Sequence, residues 1–392
     1  MKCDSVVYPN FGFDSNPGGK PASAQGRNEQ SMSVVFLPAF RKSDAVYTGV
    51  QIPEGYYHLL SEYGIDSAYP CTSKNLFSGL TGVPWGWDKE ALSFFGENNI
   101  TAHHPPLSSV KRINERSFPM ESDRLRDYSQ GRVFRETYDL RCFLEKHKDI
   151  RYLIKPGFRS SGRGFIKSGR PFEEIRERVS EIIERDGYVT TEPLKERICD
   201  ISSSAYISEY GSILEYDIHT TLVNRAFTFF ADIFDMKDSY IDLFRDRLES
   251  VIREVCTAAF REGYFGPIGI DSFVYLEAGE LRLMPIIDIN ARLTIGITAK
   301  RVIDKLKKGR VSMYRFIARK KHSLPERNHE LKSLLSSLHY SQRDDTGVML
   351  LSPLRIIYPG ENTWSIPQRS IFLIRAKTGK ELEKTDADLR RR

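Results

Sequence analysis

Cysteine is scarce in this chain of 392 residues. Its five thiols, Cys3, Cys71, Cys142, Cys199 and Cys256, are scattered, with no CxxC pair and no histidine at zinc spacing. Such a set excludes a disulfide framework and a structural zinc site, and reads as reduced thiols in the cytoplasm. No window approaches about 18 consecutive apolar residues, which excludes an ordinary helical membrane span. Behind Lys2 there is no apolar stretch of roughly 7 to 15 residues, so no secretory signal is expected. Charge of one sign is lacking too: 58 Lys and Arg against 52 Asp and Glu leave +6, so a nucleic-acid partner would have to rest on a local patch. The absence of a repeat of about 20 to 50 residues excludes solenoids and propellers.

What is present is a globular composition. Apolar residues make up 40%, and 23 Phe, 19 Tyr and 3 Trp supply bulk for two or three domains of roughly 150 residues each. A first strand is predicted at 6–13, followed over 14–30 by a segment rich in Gly, Pro, Ser, Asn and Gln, read as a mobile loop. Residues 34–40 (VVFLPAF) read as a strand and 54–63 as a helix closed by Gly64. Asp88 stands where it can cap a helix running to about Phe95. Residues 1–112 therefore read as a small α/β domain. The second domain, 113–300, is expected to run through a helix at 137–147, the strand 151–156 (RYLIKP), a Gly/Ser loop and a strand at 164–167. A helix at 171–184 and a strand at 188–194 follow. Two runs around Gly211 read as a hairpin. The apolar stripe from Ile241 to Phe260 reads as a long helix stopped by Gly263, and 268–276 and 281–290 as two late strands. Residues 301–392 are read as a basic helix with a small extension, its strands near 348–358 and 370–376.

Chemistry concentrates in three places. The run Lys155-Pro-Gly-Phe-Arg-Ser-Ser-Gly-Arg-Gly164 sets a lysine on a strand end before a loop whose glycines let backbone N–H groups approach a phosphate. Ser160, Ser161 and Arg163 add donors, although Gly162-Arg163-Gly164 excludes a Walker A loop. A solvated surface hairpin is the alternative. In Gly-Ile-Asp271 and Asp288-Ile-Asn290-Ala-Arg292, side chains two apart on a strand share a face. Asp288, Asn290 and Arg292 should then project together near Asp271, as hard oxygen donors suited to Mg2+ with phosphates; pairing with local Lys or Arg is the alternative. Glu192-Pro193-Leu194 ends a strand with a proline that removes one backbone donor, and Asp200 follows. Ten Lys or Arg over 300–321, against Asp304 alone, read as a solvated helix face or as an approach for an acidic substrate. His103, His104, His219, Trp85 and Trp87 have no partner spacing and read as structural.

In this order the motifs resemble the ATP-grasp superfamily, over roughly residues 110–300, and the segment before them is similar to a pre-ATP-grasp domain. The resemblance implies an α/β (α+β) chain: a pre-ATP-grasp α/β domain, then an ATP-grasp fold of two subdomains whose mainly antiparallel sheets clasp the nucleotide. It implies that Lys155 contacts the α-phosphate and adenine side, and that Ser160, Ser161, Gly162, Arg163 and Gly164 cover the β- and γ-phosphates. Glu192, Pro193 and Leu194 would form the adenine hinge, Asp200 would hold the ribose, and Arg116 would stand at the first phosphate contact. Asp271, Asp288 and Asn290 would be the metal ligands. Arg292 and Lys155 would be catalytic, with Arg292 steadying an acyl phosphate or tetrahedral intermediate. Two positions depart from the pattern: Asp288 stands where glutamate is frequent, and Arg116 replaces lysine, a planar fork for a point charge. The implied activity is ADP-forming ligation of a small-molecule or peptide carboxylate to an amine, with ATP as co-substrate and Mg2+, or Mn2+, as metal. No membrane or nucleic-acid partner is implied, and a homodimer stays open. A small-molecule kinase and a non-catalytic ATP-binding regulatory protein remain the alternatives.

Overall fold

Val6, Val7 and Tyr8 are buried in succession, the pattern of a short strand covered on both faces. They belong to β1 (Ser5–Tyr8), which lies parallel between β2 (Asp44–Tyr47) and β4 (Thr81–Pro84), with β3 (Tyr69–Cys71) at the edge beyond β2. The computed structural model describes residues 4–15, 27–72, 79–157, 164–224, 227–237, 240–318 and 328–391. The helix Glu54–Glu62 ends before Gly64, whose φ of 75° is open to glycine. Asp88 accepts from Ala91 N at 2.8 Å and starts the helix Lys89–Glu97.

Two expectations for this region are corrected. The apolar run 34–40 is not a strand: Ser33–Phe36 is a 3-10 turn, and every residue from Ser33 to Phe40 packs as a buried plug. Apolar runs carry no period, so strand and buried turn read alike. The loop read over 14–30 is partly structured, with 3-10 geometry at Phe11–Ser15 and a helix at Arg27–Met32; its residues 16–26 lie outside the described residues.

A second sheet pairs β5 (Arg132–Phe134), β6 (Tyr152–Pro156), β7 (Ile166–Lys167) and β8 (Val189–Pro193) antiparallel, in the order β5-β8-β6-β7. Two helices pack on it through Leu140, Ile175, Val179 and Ile182. The third sheet has eight antiparallel strands: β9 (Arg197–Ile207), β10 (Ile213–Val223), β11 (Phe229–Phe234), β12 (Gly266–Glu277), β13 (Glu280–Asn290), β14 (Val311–Ala318), β15 (Gly347–Leu350) and β16 (Arg369–Ala376). Their order is β13-β12-β9-β10-β11-β14-β16-β15. The helix Tyr240–Arg261 buries Ile241, Leu248, Val251, Ile252 and Val255 along one side, as its spacing requires.

The basic run 300–321 is also corrected. Lys300 and Arg301 close the helix Ile295–Ile303, a turn follows, and Arg315 lies within β14; residues 319–321 are outside the described residues. VSMYRFIA, rich in β-branched and aromatic residues and buried from Val311 to Phe316, forms a central strand. The sequence sets 301–392 apart as an extension, whereas β14, β16 and β15 continue the sheet of β9 to β13. Lys305 ties this part to the first sheet, donating to Phe40 O at 2.6 Å and pairing with Asp66 at 2.8 Å. Among the described residues no helix is long and apolar enough to cross a membrane.

Candidate active site

Residues of the second and third sheets, with Phe13, Asp14 and Trp85 from the segments that follow β1 and β4, meet at a cavity of about 330 Å³. Arg116, Lys155, Asp200, Asp271, Asp288, Asn290 and Arg292 all line it. Glu192, Pro193, Leu194 and Gly164 are described but do not reach its wall, and Ser160, Ser161, Gly162 and Arg163 lie outside the described residues.

Lys155 sits on β6 opposite Thr190, and Glu192 is two residues further along β8, so both side chains share a face. The ammonium, 5% exposed, donates to Glu192 Oε2 at 2.6 Å and to Ile287 O at 3.5 Å. Burial pushes its pKa below the ordinary lysine value, an effect the Glu192 carboxylate opposes. Glu192 also faces Arg197 at 3.5 Å, and Arg197 pairs with Asp200 at 2.8 Å while stacking over Phe273. The Leu194 amide, expected to face adenine, donates to Arg151 O at 2.8 Å. A cross-strand bond of that kind leaves no trace in the sequence.

Asp271 and Asp288 are direct partners across β12 and β13, and the register shifts just beyond them. Like charges opposite each other oppose folding, and burial, then Asp288, push the Asp271 carboxyl up to about 6. Ser202 Oγ donates to Asp271 at 3.1 Å and Asn290 Nδ2 at 3.3 Å. Asp288 meets Arg116 Nη2 at 3.3 Å; Arg116 also donates to Pro156 O at 2.7 Å and lies over Phe165. Two close carboxylates and an amide are hard donors that fit Mg2+, which would relieve their repulsion. The Asn290 amide now turns its nitrogen to Asp271 and its oxygen to Arg292, at 3.0 Å. Among the described residues no group of three or more His, Cys, Asp or Glu is placed to hold a metal.

β13 ends at Asn290, so Arg292 is not on the strand face the spacing predicts. It lies in the turn beyond, where its amide donates to Asn290 O at 2.9 Å. Its guanidinium still reaches the cavity, held by Asp14 at 2.5 Å and by the Trp85 ring at 4.8 Å. Trp85, read as structural, is both buried and a wall of the cavity. Sequence reasoning missed Asp14, Asn114, Arg197 and Asp232 as lining residues. Asp14 stands in a segment without periodicity, and the others are single polar residues inside regular elements.

Solved structures share this arrangement of sheets. The biotin carboxylase–β,γ-ATP complex of Campylobacter jejuni superposes with a TM-score of 0.56 at 11% identity, covering 97% of this chain and 89% of that one. The fold is ATP-grasp. The phosphoribosylamine–glycine ligase of Thermotoga maritima gives 0.54 at 12% identity, covering 99% and 96%. The biotin carboxylase domain of the Hydrogenobacter thermophilus 2-oxoglutarate carboxylase, with MgADP, ADP and bicarbonate, gives 0.52 at 14%, covering 97% and 83%. No protein-family model matches the sequence, and no curated protein sequence does. The cavity lies between the second and third sheets, lined by Lys155 of the one and by Asp271 and Asp288 of the other.

Proposed function

We propose that the chain is an ADP-forming, ATP-dependent ligase that joins a carboxylate to an amine. The observation that carries this reading is Arg292 beside Asn290, in one cavity with Asp271, Asp288, Arg116 and Lys155. Phosphate-binding cations, a hard oxygen pair and a further guanidinium are the parts such a ligation needs. Two of the similar structures hold nucleotides, one with magnesium and bicarbonate, and a third is a glycine ligase; these support the reading. Four free thiols, Cys71, Cys142, Cys199 and Cys256, support a cytoplasmic setting.

In the reaction a carboxylate oxygen attacks the γ-phosphorus and ADP leaves. The amine then attacks the acyl carbon, phosphate departs and a proton is released, so no nucleophile of the enzyme is consumed. Lys155 has three N–H donors, of which Glu192 and Ile287 engage two, leaving one for a phosphate oxygen. Arg116 presents its fork from the turn between the helices Leu107–Asn114 and Phe118–Glu121. Arg292 holds the oxyanion that forms as the amine attacks, where a fixed donor acts on charge that develops only in the transition state. Mg2+, for which Mn2+ would also suit these oxygens, would neutralise phosphate charge at Asp271, Asp288 and Asn290.

The test is ADP release over carboxylate pools with hydroxylamine as trap. The wild type should form a hydroxamate, and Arg292→Ala should cut its formation roughly 100-fold while leaving ATP affinity nearly unchanged. A stable phosphorylated hydroxyl product with no hydroxamate would overturn the ligase reading in favour of a kinase.

A further inference from the structure

Five carboxylates face the cavity: Asp14, Asp200, Asp232, Asp271 and Asp288. Three have a guanidinium partner, Asp14 in Arg292, Asp200 in Arg197 and Asp288 in Arg116. Among the described residues Asp271 and Asp232 have neither a Lys nor an Arg ion pair. Asp271 belongs to the hard oxygen pair, and Asp232 is left over.

Asp232 projects from β11, opposite Thr221 of β10 and Tyr314 of β14. Its side chain is 3% exposed. Thr221 Oγ1 donates to Oδ1 at 2.8 Å, and His219 Nε2 lies 3.7 Å from the same oxygen, too far for a hydrogen bond. Oδ2 accepts no hydrogen bond from a described residue. Asp232 lines the cavity, and burial pushes its carboxyl's pKa up, an effect that His219 opposes, so a cation that reaches this wall would favour the ionised form.

His219 does not supply the missing charge in full. It is 1% exposed, stacked on Phe234, and its Nδ1 pairs with Asp217 at 2.9 Å. Burial lowers its pKa, but Asp232 and Asp217 raise it further, and the net direction is up. One imidazole ring therefore faces two carboxylates. Gly296 is packed so tightly on the ring that a Cβ there would come within 2.5 Å of Cε1 and Nε2, so the ring is held from that side.

The chemistry of the missing cation follows from the surroundings. A hard dication needs about six oxygen ligands, and Asp232 brings one free oxygen beside a threonine hydroxyl already engaged. The neighbouring wall contains Val223 and Phe229, which suit a carbon stem and not a hydrated ion. We infer that Asp232 anchors the amine co-substrate: its ammonium group donates to Oδ2 and leaves one proton on that carboxylate before the neutral amine attacks the acyl carbon, while the attached carbons lie against Val223 and Phe229. This inference rests on the ligase reading and deepens it. The acidic anchor selects amines that carry positive charge over neutral acceptors.

The test is ligand-observed NMR on the full chain with n-propylammonium and its neutral counterpart, propan-1-ol. Propylammonium should bind the wild type in the millimolar range and at least tenfold more weakly to Asp232→Asn, whose amide oxygen still accepts from Thr221. Propan-1-ol should bind both alike, and weakly. Equal propylammonium binding to the two proteins, or none to the wild type, would overturn the anchor. So would displacement of propylammonium by Mg2+ alone in the wild type, which would make Asp232 a metal ligand. If Asp232→Asn does not fold, the His219 ring resonances of the wild type decide: a saturable shift with propylammonium supports the anchor and its absence overturns it. The ligase reading fails separately, by absence of hydroxamate, and a hydroxamate-forming enzyme that ignores propylammonium loses the anchor alone.

Discussion

Asp271 shows how a single residue trades stability for binding. Its folded-state value of about 6 lies above the ordinary aspartate value, with burial the main cause and Asp288 the next. The folded protein therefore holds that proton more tightly than the unfolded chain does. Its stabilising contribution is complete below about pH 4 and is lost as pH rises through about 6. At pH 7.5, without metal, Asp271→Asn should melt a few degrees higher than the wild type, and the difference should vanish at pH 4. The same variant should bind Mg2+ and nucleotide much more weakly, because an amide cannot replace the carboxylate. Thermal denaturation at the two pH values, with and without Mg2+ and a non-hydrolysable ATP analogue, checks both halves. A variant less stable than the wild type at pH 7.5 would show that Ser202 and Asn290 outweigh the charge repulsion. Lys155 and Glu192 are the converse case, since their 2.6 Å pairing lets two buried charges tolerate each other.

Among the elements, β12 and β13 were legible because two runs rich in Ile, Val, Phe and Leu flank a turn at Ala278 to Glu280, and Gly279 has the positive φ, 83°, that the turn uses. The motif residues Asp271, Asp288 and Asn290 followed. That Asp271 faces Asp288 directly was not legible, because the register shift beyond Asp271 is set by packing and not by spacing. The 34–40 plug and the split of the basic run were missed for a related reason: an apolar run and a charge run each fit several elements until tertiary contacts choose. The helix Ile295–Ile303 gives a prediction of the same kind. Gly296 lies in its first turn, where glycine to alanine would ordinarily stabilise by up to about 1 kcal/mol. Here the added Cβ would meet the His219 ring at 2.5 Å, and that ring is held by Asp217 and Phe234. Gly296→Ala should therefore destabilise, by about 1 to 3 kcal/mol as overpacking does. Urea unfolding reads the sign directly, and a more stable variant would mean that His219 has room to move.

At the scale of the whole molecule, the cavity depends on parts far apart in sequence. The first sheet contributes through Trp85, which follows β4, and through Asp14 in the 3-10 turn after β1; together they fix Arg292, which belongs to the turn after β13. Leu293 N also donates to Trp85 O at 2.9 Å, so the backbone is tied at the same place. Burial raises the pKa of Asp14, an effect opposed by Arg292; the pair is a partly buried contact between the first sheet and the third. Asp14 thus acts as a positioning residue, working on the oxyanion through Arg292. Asp14→Asn keeps the shape and the hydrogen-bond acceptor but removes the charge that aims the guanidinium. The expected result is a fall of about tenfold in kcat for hydroxamate formation, with KM for ATP unchanged, and partial recovery in Asp14→Glu. In the Arg292→Ala background the Asp14→Asn change should add little, because residues acting as one unit are not additive. If Asp14→Asn instead raises KM for ATP and leaves kcat intact, the first sheet serves the nucleotide and not the acyl transfer, and Arg292 is held for another purpose.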